Sequence, residues 1–398
     1  MDATLSEWLN LALRWIHVAT AIAWIGTSFF FIWLENQLRP PAEAREGVHG
    51  EVWMVHGGGF YQMQKFLVAP ARLPDALHWF KWEAYATWIS GFSLLALIYF
   101  AGAGTWLVRP GSGLSPVAGV GLALAVLLLG WAVYDTACRR LQGRNDVAVG
   151  ALIFAWTVLV AWGLSQVFTG RATFIMVGSM LGTIMAANVF MVIIPNQRRI
   201  VAAMQEGRAP DPALGQRGRQ RSLHNNYVTL PVLFTMISNH YPATFAPAWN
   251  WAILAGLFAV SITIRHYFNL KNRGRHRPWL IPAAAAALAA LAFVATPRSG
   301  PAGPGTADAA ARVAFAEVRP VIATHCAGCH AARPTVEGFD QPPKGILLEQ
   351  PAQIAALAQA IHAQAVATDA MPLANLTGMT PAERDLLGRW VAQGAPLE

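Results

Sequence analysis

Eight stretches of this chain are each apolar over close to the ~20 residues a helix needs to cross a bilayer. That repetition constrains the fold more than any other feature. The stretches cover 9–34, 83–101, 117–137, 147–167, 172–194, 227–245, 248–264 and 279–296. Backbone surrounded by lipid must satisfy its own N–H and C=O groups, so a helix is expected in each. The sixth is the weakest, because Pro231, Asn239, His240 and Pro242 interrupt it. Such breaks are tolerated where neighbouring helices or a cavity take up the freed groups. Only 13% of the residues are charged, against roughly 25% in soluble domains.

The net charge of +8 is unevenly placed. Residues 1–296 hold 22 Lys/Arg against 12 Asp/Glu, and residues 297–398 hold 7 against 9. The excess therefore belongs to loops beside apolar spans, and no nucleic-acid partner is needed to explain it. Connections 35–82, 138–146, 195–226 and 265–278 carry 5, 3, 6 and 5 Lys/Arg. The other side has Arg109 and Arg171, with Arg14 inside the first span. The positive-inside rule makes the basic side cytoplasmic, and an even number of spans leaves both termini outside. Asp2 and Glu7 do not suit the basic start of a signal peptide, so the first span is expected to stay.

A Pro/Gly-rich linker, within "TPRSGPAGPGTADAAA", separates two unlike parts. The division is a membrane domain over 1–296, a linker over 297–306 and a soluble helical domain over 307–398. That domain's last helix is announced by Thr380 as N-cap, Pro381 at the first position, Glu383 as capping-box partner and Gly394 at the stop. It also contains Cys326, Cys329 and His330 in a Cys-x-x-Cys-His run, the attachment signature of a c-type haem. Two thiols at this spacing reach two vinyl groups, and the adjacent imidazole reaches the iron. A Met is the usual second axial ligand in electron carriers. Met371, stiffened by Pro372, is preferred over Met379. A thiol redox pair would be expected beside a βαβ pattern, and zinc would need further ligands from His325 and His362. The third cysteine, Cys138, reads as a packing residue.

The membrane domain has its own polar concentrations. Residues 52–88 bring His56, Lys65, Arg72, His78, Lys81 and Glu83, and their Gly57–Gly59 run permits close backbone approach. "SLHNNY" adds His224, Asn225 and Asn226, and "IRHYFN" adds Arg265, His266, Tyr267 and Asn269. All three stretches map to the cytoplasmic face. A polar pocket is therefore expected there, rimmed by Phe60, Tyr61, Trp79 and Trp82. His56, His78, Glu83, His224 and His266 are its candidate catalytic residues; Lys65, Arg72, Asn225, Asn226 and Arg265 are its candidate binding residues. Each histidine taken singly reads more simply as a hydrogen-bonded structural residue. His17 and His240 fall inside spans near the outer face, where ionisable groups are expensive. They are candidate axial ligands of a second haem, of b type.

The segments "RWIHVATAIAWIGTSFFF", "HGGGFYQMQKFLVAPARLP", "LHWFKWEAYATWISG" and "NVFMVIIPNQR", followed by a one-haem tail, resemble the bacterial membrane-bound, cytochrome-c-linked urate oxidases, or urate hydroxylases. The resemblance implies oxidation of urate to 5-hydroxyisourate in purine catabolism, with the tail cytochrome as electron acceptor. It implies a multi-pass protein of the bacterial inner membrane, in contact with lipid. A periplasmic acceptor, a terminal oxidase or a soluble cytochrome, would take the electrons onward. The expected fold is all-α: an eight-span helical membrane bundle followed by a small class I-type cytochrome c domain. Two other readings of the residues stay open, a quinol–cytochrome c electron-transfer protein and a redox-linked transporter or sensor.

Overall fold

The computed structural model describes residues 3–43, 45–66, 70, 72–141, 146–295, 312–336, 339, 341–367 and 370–398. Helix dominates. The linker expected at 297–306 lies outside the described residues, as does the domain boundary beside it.

Helix α1 (Ala3–Gln37) opens the chain. The basic connection after it is not helical. It forms a two-stranded antiparallel hairpin, β1 (Val48–His56) and β2 (Gly59–Phe66), in which His56 pairs with Gly59. Gly57 and Gly58 make its turn, with φ of 59° and 79°. A two-residue hairpin turn that needs positive φ at both positions accepts glycine without strain. The glycine run thus reverses a strand instead of bringing backbone close to a partner, and the all-α expectation is corrected to mostly helical with one hairpin. Reciprocal backbone hydrogen bonds between Arg39 and Glu51 tie the hairpin to the end of α1.

Next come α2 (Trp82–Leu95), extended by wide turns over Ala96–Phe100 and Ala103–Leu107, then α3 (Pro116–Arg140) and α4 (Asp146–Val167). Helix α5 (Gly170–Ala187) runs through a wide turn, Asn188–Ile193, into α6 (Ile194–Gln205). Helix α7 (Pro212–Ile237), the short α8 (Pro242–Phe245), α9 (Asn250–Asn272) and α10 (Leu280–Ala295) complete this half. Starts are set locally: Ser115 and Thr169 accept from the backbone N–H groups of Ala118 and Ala172 at 3.2 and 3.1 Å.

Six of the eight expected spans are helices long and apolar enough to cross a membrane: Thr4–Gln37, Trp82–Phe100, Pro116–Arg140, Val147–Val167, Gly170–Gln205 and Asn250–Asn272. The other two fall short for different reasons. Helix α7 carries Arg217, Arg219, Arg221 and His224 in its first half, and α10 has 16 residues. Trp15, Val117, Leu128, Val147 and Phe293 are exposed on the outside of the bundle. So much outward apolar surface suits lipid better than water.

Helix α5 is the centre of this half, with Ala172, Phe174, Met176, Val177 and Met180 fully buried. Glycines let its neighbours approach. A Cβ on Gly130 of α3 would lie 2.4 Å from Met180 Cγ, and one on Gly178 of α5 would lie 2.0 Å from Thr235 Oγ1 of α7. Small residues at such crossings are how helices pack where lipid removes the hydrophobic drive.

The tail folds around α11 (Phe315–His325) and α14 (Pro381–Ala392), with α12 (Pro351–Ala356) and α13 (Ala358–Ile361) between them. Val318, Ile322, Leu387 and Trp390 form its buried core. Thr380, Pro381 and Glu383 occupy the expected cap positions of α14, and Gly394 follows its end with φ of 88°.

Gly178→Ala should lower the thermal stability of the protein in detergent by about 1–3 kcal/mol, the usual cost of overpacking. Gly182→Ala, with open space beside it, should leave the melting temperature unchanged or raise it.

Candidate functional site

The haem-type motif sits on the turn that ends α11. Ile322 O accepts from the N–H groups of Cys326 and Ala327, and Cys326 O accepts from His330 N at 2.9 Å. His330 Nδ1 lies 3.1 Å from Ile346 O. That bond fixes the ring and leaves Nε2 for an iron, as outer-shell partners of ligating histidines do. The two methionines are separated by burial. Met379 is 3% exposed inside the tail's core, whereas Met371 is part-buried at its edge. Arg384 holds the Met371 segment by donating to Met371 O at 2.7 Å and to Asn375 Oδ1 at 3.2 Å.

Burial pushes the Cys326 thiol up to about 12 and raises that of Cys329 as well. Reactive and metal-binding thiols are tuned the other way. Among the described residues no three His, Cys, Asp or Glu side chains gather as a metal site. His325 is engaged with Thr377 Oγ1 at 2.7 Å and Glu383 Oε1 at 3.1 Å. Cys326, Cys329 and His330 are the residues of this turn that could hold a covalently attached haem.

In the membrane domain the expected pocket group divides. His56 is exposed beside the hairpin turn, and Arg72 is exposed in the following connection. His78 is exposed with its ring 4.5 Å from that of Phe80. Lys65 is ion-paired with Glu35, which Arg219 also meets at 3.3 Å. Glu83 is half-buried in the first turn of α2, where an acid suits the helix dipole. The hairpin and the connection after it leave His56 and His78 exposed, whereas His224 and His266 stand on α7 and α9.

The two loop-end motifs build two separate clusters on α7. Successive helical residues point about 100° apart, so Asn225 and Asn226 serve different neighbours. On one face, Arg221 Nη2 meets Asp135 Oδ1 at 2.7 Å with both side chains nearly buried. Asn188 Nδ2 donates to the Tyr134 oxygen at 3.0 Å and to Asn225 Oδ1 at 2.8 Å. The Tyr134 hydroxyl lies 2.9 Å from His224 Nδ1. Cys138 Sγ lies 3.8 Å from that nitrogen. Asn188 opens the wide turn after α5, a feature frequent at functional positions.

On the other face, Arg265 and Asn269 lie one turn apart on α9. Arg265 Nε and Asn269 Nδ2 both donate to Asn226 Oδ1, at 2.9 and 3.0 Å. The Arg265 guanidinium carbon stands 3.8 Å from the Phe29 ring centroid on α1. These groups are buried: Asn226 is 0% exposed, Asn269 2% and Arg265 6%. Among the described residues no carboxylate pairs with Arg265. Asn226 Nδ2 and Asn269 Oδ1 have no hydrogen-bond partner there either. Beside them His266 is exposed, its Nδ1 2.8 Å from the Tyr227 hydroxyl and its ring stacked on that of Tyr227. Phe29, Tyr134, Asp135 and Asn188 escaped the sequence reading. The signal available for Tyr134, Asp135 and Asn188 was polar side chains inside apolar text, and Phe29 carried none.

His17 lies on the face of α1 that meets α2, its Nδ1 3.0 Å from Thr87 O and 3.2 Å from Ser90 Oγ. Gly91 leaves room for the ring, since a Cβ there would be 2.8 Å from His17 Cε1. His240 is exposed on the turn after α7.

The Glu383 carboxyl is held down at about 2, chiefly by the backbone N–H and hydroxyl of Thr380 and then by His325. A carboxyl with a depressed folded pKa adds stability that is complete above its ordinary value of 4.5 and is lost as the pH falls towards about 2. Acid titration of the full chain, followed by tryptophan fluorescence of the tail's buried Trp390, should show this loss, and Glu383→Gln should flatten it across that window.

No curated protein and no solved structure matches the chain. A family of known sequences does. Residues 3–296 match the urate oxidase N-terminal family; with most of its length inside that match, the chain belongs to this family.

Proposed function

We propose that this protein is a membrane-bound, cytochrome-linked urate oxidase. It oxidises urate to 5-hydroxyisourate at the Arg265–Asn226–Asn269 cluster and delivers the electrons to its own tail, outside the membrane. On this reading α7 and α10 also cross the bilayer, completing eight spans. The observation that carries the proposal is the buried Arg265 without a carboxylate, set beside an unsatisfied amide donor and acceptor within the matched domain.

The energetics favour a ligand there. A buried charge without compensation costs several kcal/mol, and each unsatisfied buried amide group about 1–3 kcal/mol. A planar anion with N–H and C=O groups along its edge would relieve all three. Urate has that shape and charge. Asn226 Nδ2 would donate to a ring carbonyl, Asn269 Oδ1 would accept from a ring N–H, and the guanidinium would balance the charge. Phe29 backs the guanidinium with its ring face.

The reaction consumes urate and water and yields 5-hydroxyisourate, two protons and two electrons. Water attacks the ring carbon made electrophilic by oxidation, and a base takes its proton. His266 suits that role, because donating Nδ1–H to the Tyr227 oxygen leaves Nε2 to accept it. Cys326 and Cys329 would attach a c-type haem and His330 and Met371 would hold its iron, and the group would supply one-electron chemistry there. Each turnover therefore loads the tail twice, and a periplasmic acceptor must empty it between loadings.

In an anaerobic visible spectrum of the oxidised full chain, urate should bring up the reduced c-type absorption. A silent spectrum in protein that dithionite still reduces would move the reading to the quinol or transport alternatives. Arg265→Lys and Asn226→Leu should each raise the urate KM by roughly ten- to a hundredfold, equivalent to about 1.4–2.8 kcal/mol. Lys65→Ala, at a half-exposed ion pair, should leave it within about a factor of two or three.

A further inference from the structure

The opposite end of the bundle, away from the Lys/Arg-rich connections, contains an element that the proposed chemistry has not used. Trp106 closes the second wide turn after α2, and its position is fixed from several sides. Its carbonyl accepts from Thr169 Oγ1 at 2.9 Å. The backbone on either side is bonded to the α4–α5 junction, Thr169 N to Leu107 O at 3.0 Å and Arg109 N to Val167 O at 2.8 Å. Gly102 makes room for the indole, because a Cβ there would lie 2.5 Å from Trp106 Cδ1. The Arg171 guanidinium stands 5.7 Å from the Trp106 ring and 5.4 Å from that of Phe245. A half-buried tryptophan held this firmly is a platform.

The tail rests on it. Phe339 packs its ring 5.6 Å from that of Trp106, tilted by 51°. Phe339 belongs to the connection between His330 and Ile346, the residue whose carbonyl orients the His330 ring. Phe339 thus lies in sequence between His330 and the residue whose carbonyl meets the His330 ring.

We propose that the Trp106–Phe339 contact is the docking point that sets electron transfer from the membrane domain to the tail. The inference rests on the urate-oxidising reading above. In each transfer one electron leaves the substrate site and one reduces the tail. Electron transfer weakens steeply with distance, and a tail on a Pro/Gly-rich linker would otherwise sample many separations. A fixed aromatic platform removes most of that spread.

The test uses full-length protein in detergent, with two readouts. Hydrogen exchange across 339–346 reports docking, and stopped-flow absorbance reports urate-driven reduction of the tail. Trp106→Ala should speed exchange in 339–346 and slow reduction by roughly tenfold or more, as positioning losses do. Trp106→Phe should preserve both. Phe339→Ala should reproduce the alanine effect from the tail side, which covers the case in which Trp106→Ala fails to fold. Unchanged exchange in both alanine variants would overturn the docking point, and faster exchange with unchanged reduction would overturn its role in electron transfer. Wild-type protein with no urate-driven reduction would instead defeat the functional reading, while the exchange comparison would still report on the contact.

Discussion

Two guanidiniums are buried where α7 and α9 pack into the bundle, and the difference between them organises this half of the molecule. Arg221 is answered by Asp135 and enclosed by Tyr134 and Asn188. Removing a partner from such a buried pair typically costs 3–5 kcal/mol, so this cluster pins α3, the turn after α5 and α7 together. Arg265 is answered by one amide oxygen and an aromatic face. A protein that neutralises one buried cation so thoroughly and leaves the next without a carboxylate has left the second in a state that an anion can complete. The two clusters share one helix, and the 100° step between Asn225 and Asn226 keeps them apart.

The tail obeys a different economy. It is small, and one core joins α11 and α14 to Ile354 of α12 and to Ala358 and Ile361 of α13. Its polar bonds are spent on orientation. Ile346 O turns the His330 ring, Arg384 holds the Met371 backbone, and His325 links Thr377 to the cap of α14 through Glu383. The Phe339 ring of this part meets that of Trp106, in the second wide turn after α2.

Local signals carried much of this from the sequence alone. Long apolar runs needed no tertiary information to be read as helices, because helical hydrogen bonds close within the segment. The capping box of α14 lies within four residues, and the Cys-x-x-Cys-His spacing within five. One element was misread for want of context, and another was only half visible. The hairpin at 48–66 has a glycine turn at its centre, yet its membrane-edge setting hid the two-residue pairing pattern. Helix α7 is polar along half its length and takes its place by packing against α5 and α9, which no hydropathy window registers.

The candidate site shows the same boundary more sharply. Residue type alone singled out Asn226, Arg265 and the histidines, because polar groups inside apolar text must be there for a reason. Which of them meet could be decided only in three dimensions. His56, Lys65, Arg72 and His78 have the right chemistry, but the hairpin and the connection after it set Lys65 against Glu35 and leave the other three exposed. Phe29 has no distinguishing chemistry, yet the crossing of α1 with α9 puts it under Arg265. Sequence determined the spans, the caps, the haem-type motif and the charge asymmetry, since each depends on neighbours along the chain. Tertiary structure decided the partnerships among buried polar groups, since those depend on which helix faces meet.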